Sequence, residues 1–90
     1  DNDKVKNLDN GEFEIKGNMS LLDFNNIFDT DIKCDDCDTI NGYIISIINK
    51  IPTNEEDIIL NIENYQLKVM DVDDNRIEKV KVTLLKENVS

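Results

Sequence analysis

Residues 65–85, YQLKVMDVDDNRIEKVKVTLL, hold two alternating runs around one turn. Tyr65, Leu67 and Val69 fall on one side of the first run, and Val80, Val82 and Leu84 keep step in the second. A period of two is the signature of a strand with one buried face. Asp73, Asp74 and Asn75 between the runs are residue types that tolerate turn conformations. Ile77 is out of phase with the three apolar residues that follow it, so a bulge or bend is expected near Glu78. Upstream, DIILNI (57–62) puts Ile58, Leu60 and Ile62 on one side, ahead of a turn at Glu63-Asn64. Three strands joined by short turns form an antiparallel meander.

Before the meander the periodicity changes. In MSLLDFNNIF (19–28), Ser20 is placed to cap a helix and Asp23 to answer it as a capping box does. Leu21, Phe24 and Ile27 or Phe28 share one face of about two turns, and the Asn and Asp that follow favour a stop. Thr39, beside Asp38, opens a second helix. There Ile40, Tyr43, Ile44, Ile47, Ile48 and Ile51 recur at three- and four-residue steps, and Pro52 is expected to end the run. Gly42 inside that helix implies close packing against a neighbour. GEFEIKG (11–17) alternates between glycines and reads as a short strand. The fold class is therefore α+β, in the order β-α-α-β-β-β, with both helices on one face of the sheet. Residues 1–10, DNDKVKNLDN, read as a linker or disordered lead-in, residues 11–86 as the domain and residues 87–90 as a tail.

Ninety residues suit one small domain. Twenty acidic against ten basic residues give a net charge of −10, which disfavours nucleic acid and a polybasic membrane-surface role. The acidity is read as a solvated surface. There is no histidine, so the commonest general base and metal ligand is missing. The apolar run YIISII (43–48) is far shorter than the roughly 20 residues that span a bilayer. No direct membrane insertion of these residues is expected.

With the elements in order, the chain from Gly11 to Val82 resembles the transporter-associated domain of the CorC/HlyC type. The resemblance rests on GEFEIKGNMSLLDFNNIF, on DTINGYIISIINKIP and on YQLKVMDVDDNRIEKVKV, in that sequence. Where the family usually has Gly-Gly, this chain has Asn41-Gly42, and Glu56 replaces a usual glycine before Asp57. The resemblance implies a fold similar to one half of an FAD-binding (PCMH-like) domain. It also implies a place on the cytoplasmic side of a membrane-anchored bacterial protein with transmembrane and CBS domains, of the magnesium and cobalt efflux or "hemolysin"-like group. The implied role is non-catalytic modulation of transport through docking or a homodimer. It brings no catalytic residues and no cofactor.

Cys34 and Cys37 stand in a C-x-x-C spacing within DIKCDDCDT (31–39). As a redox couple they lack the stabilising cation a thiolate needs, and Asp35, Asp36 and Asp38 would oppose ionisation. As a zinc site they supply half of four ligands, so a metal would have to be shared between chains or completed by aspartates. The favoured reading is incidental: Cys37 a small buried apolar side chain where relatives carry an aromatic, Cys34 a loop residue, both reduced in a cytosol. No metal site is assigned. The acidic stretches DTDIKCDDCD and DVDD lack the glycine and glutamate of a calcium loop and are read as weak cation binders. Asn88-Val89-Ser90 matches a glycosylation triplet without meaning in that setting. The competing function is a small-molecule site for an adenine nucleotide or flavin, although no glycine-rich phosphate loop is present. A free-standing enzyme is a distant third.

Overall fold

A computed structural model describes residues 4–85. The expected tail and its Asn88-Val89-Ser90 triplet lie outside the described residues. Five strands, β1 (Val5–Asp9), β2 (Glu12–Lys16), β3 (Ile59–Ile62), β4 (Tyr65–Asp73) and β5 (Arg76–Leu84), form one antiparallel sheet in the order β1-β2-β5-β4-β3. Helices α1 (Leu21–Phe28) and α2 (Ile40–Ile48) lie between β2 and β3 in the chain. The α+β class and the two-helix order are as expected, with one strand more.

That extra strand, Val5–Asp9, falls within the stretch read as a lead-in and ties that part of it into the sheet. Val5 pairs with Ile15 and Asn7 with Phe13, and the register slips between Asn7 and Asp9. The slip breaks the two-residue alternation of Val5 and Leu8, which is why the strand is not visible as a pattern. Asp9, Asn10 and Gly11 all take positive φ in the turn to β2. The opening hairpin then joins the meander through β5, with Phe13 opposite Val82 and Ile15 opposite Val80.

The expected bulge in β5 is present. Ile77 pairs with Val72 and Lys79 with Asp71, leaving Glu78 unpaired, and Met70 is similarly extra in β4. The shift lets both Ile77 and Val80 be buried although they stand an odd number of positions, three, apart. Asp74 and Asn75 both adopt left-handed angles in the β4–β5 turn, as the primed hairpin turns require.

Ile15, Leu67, Val69, Val80 and Val82 from the sheet meet Leu21, Phe24 and Phe28 of α1 and Ile40 and Ile44 of α2 in a single core. Phe28 sits at its centre, edge-on to Phe13 and Tyr65 at ring separations of 5.6 and 5.2 Å. The second helix is shorter than its isoleucines suggest. Asn49, in the left-handed region at φ 60, caps it, so the stop comes before Pro52 and leaves Ile47 and Ile51 half exposed.

Candidate functional site

The two helices begin side by side. Ser20 Oγ accepts from Asp23 N at 3.0 Å and Thr39 Oγ1 from Gly42 N at 3.1 Å, so each cap does what its residue type implies. The caps are also tied to each other: Leu21 N donates to Asp38 O and Ile40 N to Met19 O. Asp23 does not stay within its own capping box. Its carboxylate takes Lys4 Nζ at 2.6 Å, and that bond holds its pKa below the usual value, Ser20 adding to the effect.

Next to the caps, Gly17, Asn41 and Ile77 form a joint between α2 and the sheet. Gly17 O accepts from Asn41 N at 2.7 Å, and Asn41 Oδ1 accepts from Ile77 N at 2.8 Å. Gly17 N donates to the carbonyl of the bulged Glu78. A Cβ on Gly17 would overlap the Ile77 carbonyl, so only glycine fits there. Beside this joint lies a depression of about 570 Å³ lined by Lys16, Arg76, Asp74 and Glu78 together with Thr39 and Asn41. Two cations and two carboxylates leave it without a net charge to select an ion.

The stretch from Thr30 to Asp38 connects the helices, and here the structure corrects the sequence reading. Cys34 and Cys37 are disulfide-bonded, with Cα atoms 5.5 Å apart, rather than free thiols. Both are half-buried against the core edge, so Cys34 is not a bare loop residue and Cys37 is not fully enclosed. The close packing expected at Gly42 is found here: a Cβ on it would lie 3.0 Å from Cys37 Cβ. Among the described residues no three of His, Cys, Asp and Glu gather into a group that could hold a metal ion. The acidic stretches are spread along the surface rather than converged.

The face of the sheet away from the helices carries the chain's other distinctive arrangement. Because Phe13, Ile15, Leu67, Val69, Val80 and Val82 point at the helices, their strand neighbours point outward. Lys6, Glu14, Lys81, Lys68 and Ile59 form one continuous row across all five strands, and Lys16 pairs with Lys79 beside it. Five of the ten basic residues thus share one bare face of an acidic chain. Three carboxylates share that face and offset more than half of the charge: Glu12, 3.6 Å from Lys81, Glu14, opposite Lys81 in the register, and Asp71, opposite Lys79. Composition hides this segregation, but the strand phase reveals it at Lys68, Lys79 and Lys81. Lys6 was lost with β1.

The transporter associated domain (CorC_HlyC) family model matches residues 6–86. The chain is 32% identical over 80 residues to the magnesium and cobalt efflux protein CorC of Buchnera aphidicola subsp. Baizongia pistaciae, covering 89% of this chain and 28% of that protein. It is 30% identical over 80 residues to the inner membrane protein YfjD of Escherichia coli, covering 89% of this chain and 18% of that one. A hemolysin domain from Enterococcus faecalis superposes with a TM-score of 0.86 at 25% identity, over 93% of this chain and all of that domain. The chain thus spans less than a third of the curated relatives it matches. Among the described residues no helix is long and apolar enough to cross a membrane. The fold and the matched length agree: this chain belongs to the CorC_HlyC family of transporter associated domains.

Proposed function

We propose that the chain is a non-catalytic regulatory or assembly module of a bacterial membrane ion transporter of the magnesium and cobalt efflux type. It works on the cytoplasmic side by docking onto its parent's CBS and transmembrane portions or onto a second copy. The observation that carries this reading is the bare sheet face, where Lys6, Lys16, Lys68, Lys79 and Lys81 outnumber Glu12, Glu14 and Asp71 although the whole chain has twice as many acids as bases. Such a face steers an acidic partner into register and gives it a flat surface. Relatives several times longer than this chain support a role as part of a larger polypeptide.

The test is to titrate the domain against the separately expressed remainder of the full-length polypeptide. Lys68→Glu with Lys81→Glu should weaken association at least tenfold, and 0.5 M salt should weaken it similarly, whereas Lys33→Glu should not. Association indifferent to all three changes places the docking surface elsewhere. Sedimentation of the domain alone separates docking on the parent from pairing of copies.

A second reading, a site for an adenine nucleotide or flavin, has the polar depression with Lys16 and Arg76 in its favour. Asp74 and Glu78 in the same lining work against a phosphate. Calorimetry with ATP and FAD at millimolar ligand decides it, and no heat removes it.

A further inference from the structure

The segment between the helices is held firmly at its two ends. Asn25 Oδ1 accepts from Thr30 Oγ1 at 2.7 Å and from Ile32 N at 2.9 Å, while its Nδ2 donates to Ile32 O. At the other end Asp38 O accepts from Leu21 N at 2.8 Å, and Ser20 and Thr39 form an antiparallel bridge. Between these anchors, Lys33 to Cys37 make no hydrogen bond among the described residues; Lys33 has only an exposed ion pair with Asp31. The Cys34–Cys37 bond is the cross-link that closes this stretch.

The bond also shapes a surface. Cys34 and Cys37 line a groove with Leu21, Leu22, Asn25 and Ile32, and Leu22 is 73% exposed at its rim. Cys37 leans on Gly42 in the first turn of α2. Among the described residues the thirteen buried hydrophobic side chains of the core include neither cysteine; both pack at its edge, where they form part of the groove wall.

We propose that Cys34 and Cys37 are a thiol–disulfide exchange site whose oxidation state sets the conformation of residues 33–37 and the groove beside α1. The reductant is a dithiol. One of its thiolates attacks a sulfur of the pair, the Cys34–Cys37 bond breaks, and a mixed disulfide forms. Its second thiol then displaces the other cysteine. Two electrons and two protons pass to the protein, leaving two thiols, and the reductant leaves as a disulfide. Oxidised glutathione, leaving as two reduced molecules, closes the ring again. Asp35, Asp36 and Asp38, all exposed, surround the pair with negative charge. Exchange with glutathione, whose reacting thiolate has a net charge of about −2, is therefore slowed by repulsion that salt screens, and exchange with dithiothreitol, whose thiolate carries about −1, is slowed less.

Equilibrating the protein in glutathione buffers of graded ratio, then counting alkylated thiols by mass, tests this directly. The expected result is a single step from two adducts to none. Trypsin cleavage after Lys33 should be at least tenfold faster in the reduced protein, with cleavage after Lys50 unchanged. Glutathione exchange should quicken at least threefold between 0.02 and 0.5 M salt, and dithiothreitol exchange by a clearly smaller factor. The Cys34→Ser, Cys37→Ser double variant should be cut at the reduced rate in every buffer; the wild-type comparison stands whether or not it folds. Equal cleavage of both oxidation states, two adducts in the most oxidising buffer, or half an equivalent of zinc bound per reduced chain would each overturn the assignment.

Discussion

Asn41 shows how much one side chain can do where a family ordinarily has none. Its Oδ1 takes the amide of Ile77, a buried residue held at the bulge that re-phases β5. Asn41→Ala leaves that amide without its partner, which costs about 1–3 kcal/mol. A fall in Tm of several degrees in thermal unfolding is the expected outcome. Gly17→Ala is predicted to be worse, at about 4 kcal/mol or more, because its methyl collides with the Ile77 backbone rather than with a movable side chain. The sequence marks Asn41 only as a departure from Gly-Gly, since the donor it satisfies lies 36 residues away. Lys4 and Asp23 are legible to no local pattern either, being 19 residues apart. The Asp23 pKa is lowered in the folded state, as is that of Glu56, which Lys50 and the Thr53 amide hold. Each carboxylate therefore contributes stability above the ordinary carboxyl range that is lost as pH falls through its lowered folded value. The parent's Tm should exceed that of the Asp23→Asn, Glu56→Gln variant slightly at pH 7, and the difference should vanish as pH falls through the lowered carboxyl values.

Among the elements, β2, α1, the meander and the β5 bulge are legible because each has a period and a punctuating residue. Residue-type caps place both helix starts correctly at Ser20 and Thr39. The end of α2 is misread because Tyr43 and five isoleucines keep the helical period past the point where Asn49 turns left-handed. Asn49→Ala should cost about 1 kcal/mol, and Asn49→Gly should be neutral or slightly stabilising, as urea unfolding would measure. β1 is missed for the opposite reason: only Val5 and Leu8 are apolar in it, and a register slip lies between them. Its stability comes from pairing with β2 and from Val5 packed against the core edge. A chain beginning at residue 11 should consequently lose hydrogen-exchange protection at the alternate β2 amides that face β1, while those that face β5 keep it. The β4 edge beyond β3 is closed by a side chain instead, Asn54 bonding both the amide and the carbonyl of Val72. Such mimicry of a strand leaves no pattern to read.

At the scale of the molecule, a net charge of −10 describes neither of its sides. The outer face of the sheet bears five lysines against Glu12, Glu14 and Asp71, while exposed Asp35, Asp36 and Asp38 lie in the segment that joins the helices. With extents of 40 × 29 × 28 Å, the two sides are separated by more than the roughly 8–10 Å over which salt screens charge. A partner at the sheet therefore meets a locally basic surface on an acidic protein. The disulfide belongs to the other side, against α1, so redox change and sheet docking are separable experimentally. Lysine footprinting of the full-length polypeptide tests the central claim most directly. Acetylation of Lys68, Lys79 and Lys81 should be suppressed at least fivefold relative to the isolated domain, with Lys33 and Lys50 modified equally in both. Equal reactivity of the sheet lysines in the two forms would contradict docking through this face.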